Sequence, residues 1–205
     1  MHVVDGALST SVLIAGGVLT VAGVAVGLRK LDADRLPQVG VLSAMFFVAS
    51  LVHVPVGPSS VHLILNGLVG VVLGWSAFPA LIIALLLQAV FFGFGGITVL
   101  GINAVNIALP AIACFYLFGG VIRSGTPMAA MIGGFAAGAC AIAFTCVLVS
   151  VSLAMSGDEF LPAAKLVFFA HLPVMAVEGI LTGAAIVLVR KVKPDLLSLP
   201  FGSPV

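Results

Sequence analysis

The chain opens Met1-His2, and these residues carry three nitrogens able to close on one metal ion. A free α-amine and the His2 amide nitrogen form a five-membered chelate ring with the metal. The same amide nitrogen and the His2 imidazole Nδ1 form a six-membered ring fused to the first. Such a donor set fills most of a square plane, which suits Ni²⁺ or Cu²⁺ by geometry, whereas Zn²⁺ prefers a tetrahedron. The other histidines are His53, His62 and His171. Asn103 and Asn106 form a close pair, Gln88 stands alone in an apolar run, and Glu178 follows His171 by seven residues. That spacing places His171 and Glu178 on one helix face.

The elements that hold these residues are membrane helices. The 205 residues are 62% hydrophobic and 7% charged, with mean hydropathy +1.35. A soluble domain carries roughly 25% charge, and long apolar runs argue for a bilayer instead. A net charge of +1 offers no field for nucleic acid. Cys114, Cys140 and Cys146 lie in apolar runs without metal or disulfide spacing and read as small core residues. The chain lacks the glycine-rich G-x-x-x-x-G-K-[ST] loop, so ATP hydrolysis by that route is excluded. The N-terminus lacks the positive region of a cleavable signal, so Met1 is expected to persist.

The patterning predicts a single all-α membrane domain over residues 1–205, with seven transmembrane helices. The expected helices cover residues 8–28, 38–53, 59–75, 79–92, 105–122, 127–155 and 165–190. Pro55-Val56-Gly57-Pro58 separates the second from the third, and Ser59 or Ser60 is the expected cap of the third. Gly93-Phe94-Gly95-Gly96 begins a non-helical connection expected to reach Asn103 or beyond, and Pro110 is an expected kink. Four G-x-x-x-G spacings, starting at Gly23, Gly70, Gly134 and Gly179, permit close helix crossings, chiefly inside the bundle. With the N-terminus outside and the C-terminus cytoplasmic, seven of eight Lys and Arg residues fall inside, leaving Lys165 outside. The reverse orientation would violate the positive-inside rule.

In this topology all four histidines gather at the outer face. His62 is the strongest candidate ligand beyond the terminus, because it follows a tight Pro-Gly-Pro turn. His53 reads either as a further donor or as an interfacial residue at a helix end. Asn103 and Asn106 read either as caps of the fifth helix or as hydrogen-bonding support for the site. His171 and Glu178 read either as support for the site or as polar groups satisfied within the bundle. A carboxylate that deep is costly and is a functional hypothesis by default.

With these residues assembled, the chain resembles the substrate-binding membrane subunits of energy-coupling-factor (ECF) transporters for nickel and cobalt, the CbiM/NikM family. The resemblance rests on Met1-His2-Val3-Val4-Asp5-Gly6, the 55–63 stretch that contains His62, Gly101-Ile102-Asn103-Ala104-Val105-Asn106, and the segment from His171 through Gly179. It implies a square-planar site of the Met1 amine, the His2 amide, the His2 imidazole and an imidazole here matched to His62. His53, Asn103, Asn106, His171 and Glu178 would stand around it. The implied cargo is Ni²⁺ or Co²⁺, and the implied setting is the inner membrane of a prokaryotic cell. The implied partners are a transmembrane coupling (T) subunit, cytoplasmic ATPase (A) subunits that bind the ATP, and a small accessory membrane subunit. The expected role is transport rather than catalysis. Rival readings are a cobalt importer subunit serving cobalamin synthesis, an intramembrane enzyme using His171 and Glu178, and a structural subunit.

Overall fold

The computed structural model describes residues 3–51, 53–56 and 59–197. It is helical apart from one short hairpin. The elements are α1 (Thr10–Arg29), α2 (Leu36–Ala49), β1 (His53–Val56), β2 (Ser59–His62), α3 (Asn66–Leu73), α4 (Ala77–Phe92), α5 (Leu100–Ser124), α6 (Pro127–Ala154), α7 (Leu161–Ala170) and α8 (Leu172–Val192). Among the described residues, five segments are long and apolar enough to cross a membrane: Thr10–Arg29, Asn66–Phe92, Leu100–Ser124, Pro127–Ala154 and Leu172–Val192. The protein is therefore a multi-pass membrane protein. At 14 residues α2 is about 21 Å long, short of the roughly 30 Å hydrocarbon core.

The Asn66–Phe92 segment is not one straight helix. Gly74 (φ 55°, ψ −127°) breaks it, and a 3-10 turn over Gly74–Ser76 reverses the chain. Side-chain bonds show the reversal. The Asn66 amide donates to the Ile107 carbonyl (3.0 Å), and the Trp75 indole donates to the Tyr116 hydroxyl (2.9 Å), so α3 runs alongside α5. α4 then returns alongside α2, with Ser43 donating to the Ala80 carbonyl and Gln88 to the Ser50 hydroxyl. Every residue of α3 is buried.

Small residues set the helix spacing. α6 and α8 form the most extensive helix pair. A Cβ on Gly134 would lie 3.0 Å from Gly183 Cα, and one on Gly138 would lie 2.7 Å from Thr182 Oγ1. A Cβ on Gly16 would lie 2.6 Å from Ile102, where α1 crosses α5 beside the Thr20 bond to the Gly101 carbonyl (2.6 Å). All eight glycines of the four G-x-x-x-G spacings face other parts of this chain, as internal packing requires. The outward faces carry large exposed apolar side chains such as Ile14, Val21, Tyr116, Ile180 and Leu188, the surface a bilayer covers.

The two ends of the bundle differ in charge. Arg123 donates from Nε to the Leu197 carbonyl (2.8 Å) and from a terminal nitrogen to the Val71 carbonyl (3.0 Å). Arg190 reaches the Gly125 carbonyl (2.9 Å), and Lys30 lies 5.9 Å from the Trp75 ring. The α1–α2 turn, the α5–α6 turn and the end of α8 thus share one end. They hold Arg29, Lys30, Arg35, Arg123, Arg190, Lys191 and Lys193. Lys165, on α7, sits past the far end of α6.

Several element boundaries differ from the sequence expectation. The second helix stops at Ala49, so His53 lies in a strand rather than at a helix end. The third does not start at Ser59 or Ser60, since those residues and His62 form β2 and helix begins at Asn66. The fifth starts at Leu100, so Asn103 and Asn106 are helical residues, not caps. The expected helix over 165–190 is split at His171, which ends α7 and begins α8. Pro162 and Pro173 each stand in the first turn of their helix, where a missing N–H costs nothing. That spacing makes a short helix and a long one out of one apolar run.

Candidate metal site

Met1 and His2 lie outside the described residues, so the arrangement is built from what surrounds them. The first described residue, Val3, is fully buried and is held at both polar backbone atoms by one side chain. Its N–H donates to Asn103 Oδ1 (2.9 Å), and its carbonyl accepts from Asn103 Nδ2 (3.0 Å). This two-point clamp explains an asparagine inside an apolar helix, because only a side-chain amide offers donor and acceptor side by side.

Asp5 extends the anchoring. Its N–H donates to the Gly95 carbonyl (2.9 Å), and its carboxylate accepts from Thr98 Oγ1 and from Val99 N (3.3 Å). Any Cβ on Gly96 would run into that carboxylate, and Gly96 adopts φ 130°, so the glycine-rich α4–α5 connection is shaped to receive Asp5. Farther along, Ser9 N donates to Ser156 Oγ (3.1 Å) beyond the end of α6. Asn106 pairs with Ser152 Oγ (3.3 Å) on α6. The segment leading away from Met1-His2 is thus fixed to α5, α6 and the α4–α5 connection.

His62 ends the second strand of the hairpin, which packs against α7. β1 and β2 pair antiparallel, and the register sets His53 directly opposite His62 in the backbone ladder. The His62 side chain is 3% exposed, with Nδ1 2.8 Å from the Leu63 carbonyl. A carbonyl only accepts, so Nδ1 carries the proton and Nε2 carries the lone pair of the neutral ring, the tautomer an Nε2 metal ligand needs. Residues 63–65 then lead into α3, whose Asn66 bonds Ile107 on α5. Val3 bonds Asn103, four residues earlier. Val3 and Asn66 therefore dock on α5 about one helical turn apart, with His62 four residues before Asn66.

Glu178 is fully buried and does not pair with His171 across the turns of α8. Its carboxylate accepts from Ile64 N and from Leu65 N (2.8 and 2.9 Å) at the start of α3. His171, also fully buried, has Nδ1 2.6 Å from the Val167 carbonyl, an arrangement that joins α7 to α8. Among the described residues no three His, Cys, Asp or Glu side chains come together as a metal cluster. Asp5 enters the sequence expectation only as part of the opening motif, and Ser152 and Ser156 do not enter it. An acidic residue just before Gly6, near the terminus, was the one local signal for Asp5.

The Asn103 clamp carries a testable consequence. Asn103→Leu keeps the volume and leaves both Val3 groups buried without a partner, at about 1–3 kcal/mol for each. Hydrogen exchange of the N-terminal peptide is expected to speed by at least about 10-fold, with protection of α6 unchanged. Unaltered exchange at Val3 would show that the clamp does not hold the terminus.

The family model described as cobalt uptake substrate-specific transmembrane region, CbiM, matches residues 2–196, and the chain belongs to that family. It is a membrane component of cobalt or nickel transport. A putative metal transport protein of Haemophilus influenzae is 42% identical over 200 residues, covering 97% of each chain. A fused nickel transport protein, NikMN, of Rhodobacter capsulatus is 41% identical over 115 residues, covering 53% of this chain and 33% of that one. A crystal structure of a transition metal transporter superposes with TM-score 0.73 at 26% identity, covering 94% of this chain and 93% of that one.

Proposed function

We propose that this chain is the substrate-specific membrane subunit of an ECF-type importer that takes up Ni²⁺, and Co²⁺ less readily. The ion is held by the Met1 amine, the His2 amide nitrogen, the His2 imidazole and His62 Nε2. The observation that carries this is the His62 geometry. A buried imidazole has its Nδ1 on the Leu63 carbonyl, and Asn66, four residues on, bonds α5 one turn from the Asn103 that holds Val3. Four nitrogens in a plane, one an ionised amide, favour Ni²⁺, while Cu²⁺ competes on affinity.

The single membrane domain makes seven passes, counting α2 and the α3–α4 reversal. It faces the cytoplasm of a prokaryotic cell with its cation-rich end. Capture is from the opposite side. Inward release requires a T subunit and ATP-hydrolysing A subunits, with a small accessory membrane subunit alongside. Glu178's engagement with backbone N–H groups speaks against an acid–base role with His171.

Purified protein titrated with Ni²⁺, then challenged with Co²⁺, tests this. One Ni²⁺ per chain is expected, with the d–d absorption of a low-spin square plane, and Co²⁺ displacing it only in excess. His62→Ala is expected to weaken Ni²⁺ binding by about 100-fold and shift that band. Unchanged affinity and band in His62→Ala would remove His62 from the site.

A further inference from the structure

Glu178 and His62 meet at the two ends of one peptide group. The N–H of Ile64 donates to the Glu178 carboxylate, and the C=O of the same peptide unit, belonging to Leu63, accepts from His62 Nδ1 at 2.8 Å. A peptide unit is planar and rigid. Fixing its N–H therefore fixes the direction of its carbonyl, and so the plane of the imidazole bonded to it. We propose that Glu178, reaching from α8, positions and polarises His62 through this peptide. The inference rests on His62 being a ligand.

Three features support it. First, a carboxylate with 0% exposure in a membrane bundle is tolerated only with specific partners, and Glu178 receives two consecutive backbone N–H groups. They lie at the start of α3, where backbone N–H groups lack helical partners and the dipole favours negative charge. Second, the corner does not hold itself. Leu65 adopts φ 55°, the one positive φ at a non-glycine residue among those described, a conformation L-residues rarely take. Third, hydrogen bonds in a chain reinforce one another. A carboxylate on the Ile64 N–H makes the Leu63 carbonyl a stronger acceptor, which raises the electron density that Nε2 offers a metal. The arrangement does for this imidazole what a directly bonded carboxylate does in other metal sites.

A double-mutant cycle on Ni²⁺ affinity, with the d–d band as a second readout, tests the idea. Glu178→Gln removes the charge at constant size and is expected to weaken Ni²⁺ binding by about 10–100-fold. Its band should move toward that of His62→Ala. In the His62→Ala background the same change should cost no further affinity. Equal losses in both backgrounds would assign Glu178 a general folding role and overturn the inference. Tight binding with an unshifted band in Glu178→Gln would overturn it as well. If Glu178→Gln yields no folded protein, Glu178→Asp, which keeps the charge one methylene short, enters the same cycle under the same criteria. Should His62→Ala itself leave affinity and band unchanged, the assignment of His62 as ligand fails, and the inference with it. That result is distinct from an additive cycle.

Discussion

Two residues added ahead of Met1 are expected to cut Ni²⁺ affinity by on the order of 1,000-fold, about 4 kcal/mol. The effect is large because the amine and the His2 amide nitrogen share one chelate ring, so moving the amine away removes one donor and strips the amide of the partner that makes its ionisation favourable. A one-residue extension behaves differently. It places an imidazole third in the chain, and an amine, two amide nitrogens and that imidazole form a complete square plane. Such a protein should keep Ni²⁺ but lose its dependence on His62, so that His62→Ala has no further effect. Native affinity in the two-residue extension, or full dependence on His62 in the one-residue extension, would eliminate the terminal chelate.

The same site fixes a pH dependence. A free α-amine titrates at about 7.7–8.0 in peptides, and the metal must displace its proton and the amide proton. Fewer protons compete as pH rises, so affinity rises with pH. The slope should be about two decades per pH unit just below the amine's range and about one above it. Ni²⁺ titrations between about pH 7 and pH 9 would show the break, and a flat profile would contradict an amide ligand.

Gly70→Ala is expected to be the most damaging single-methyl change in the bundle. A Cβ there would overlap the Ala111 carbonyl and approach Ala111 Cα to 2.7 Å, all backbone atoms of α5. Backbone cannot rotate aside as a side chain can, so α3 must lift from α5. Overpacking of this kind costs typically about 1–3 kcal/mol and more where neighbours cannot yield. Because Asn66 and the His62 corner ride on α3, metal binding should fall together with thermal stability. Gly17→Ala, with nothing within 4 Å of its Cβ, is the matched control and should be silent. Equal melting temperatures for the two variants would show that the α3–α5 contact is looser than described.

The long helices and the charge asymmetry were legible because each is written in local runs of residues. α6 needed only Pro127, Thr126 as its cap and an apolar run. The hairpin was not legible. A Pro-Gly-Pro turn between short Val-rich stretches reads as a helix break as easily as a strand turn, and Ser59 and Ser60 look like caps. The capping alternative for Asn103 and Asn106 fails in the same way, since asparagine before an apolar run signals a helix start. Their real partners are Val3, 100 residues away, and Ser152, 46 away. The Glu178 interaction spans 113 residues to Leu65. No local rule reaches that far, so the sequence marked Glu178 as costly without saying what it served.

That long reach bears on how the molecule is made. α3 is eight residues, too short to enter a bilayer by itself, and its first N–H groups are answered by a side chain on α8. While the chain is being synthesised, His62 emerges long before Glu178. Until α8 is inserted, the corner after His62 has two polar groups facing hydrocarbon or water with nothing fixed to receive them. In the proposed site, the ability to hold an ion would therefore be acquired late in biogenesis, when the last described membrane helix docks. A chain stalled before that point would present His62 without the side chain that receives the backbone beyond it.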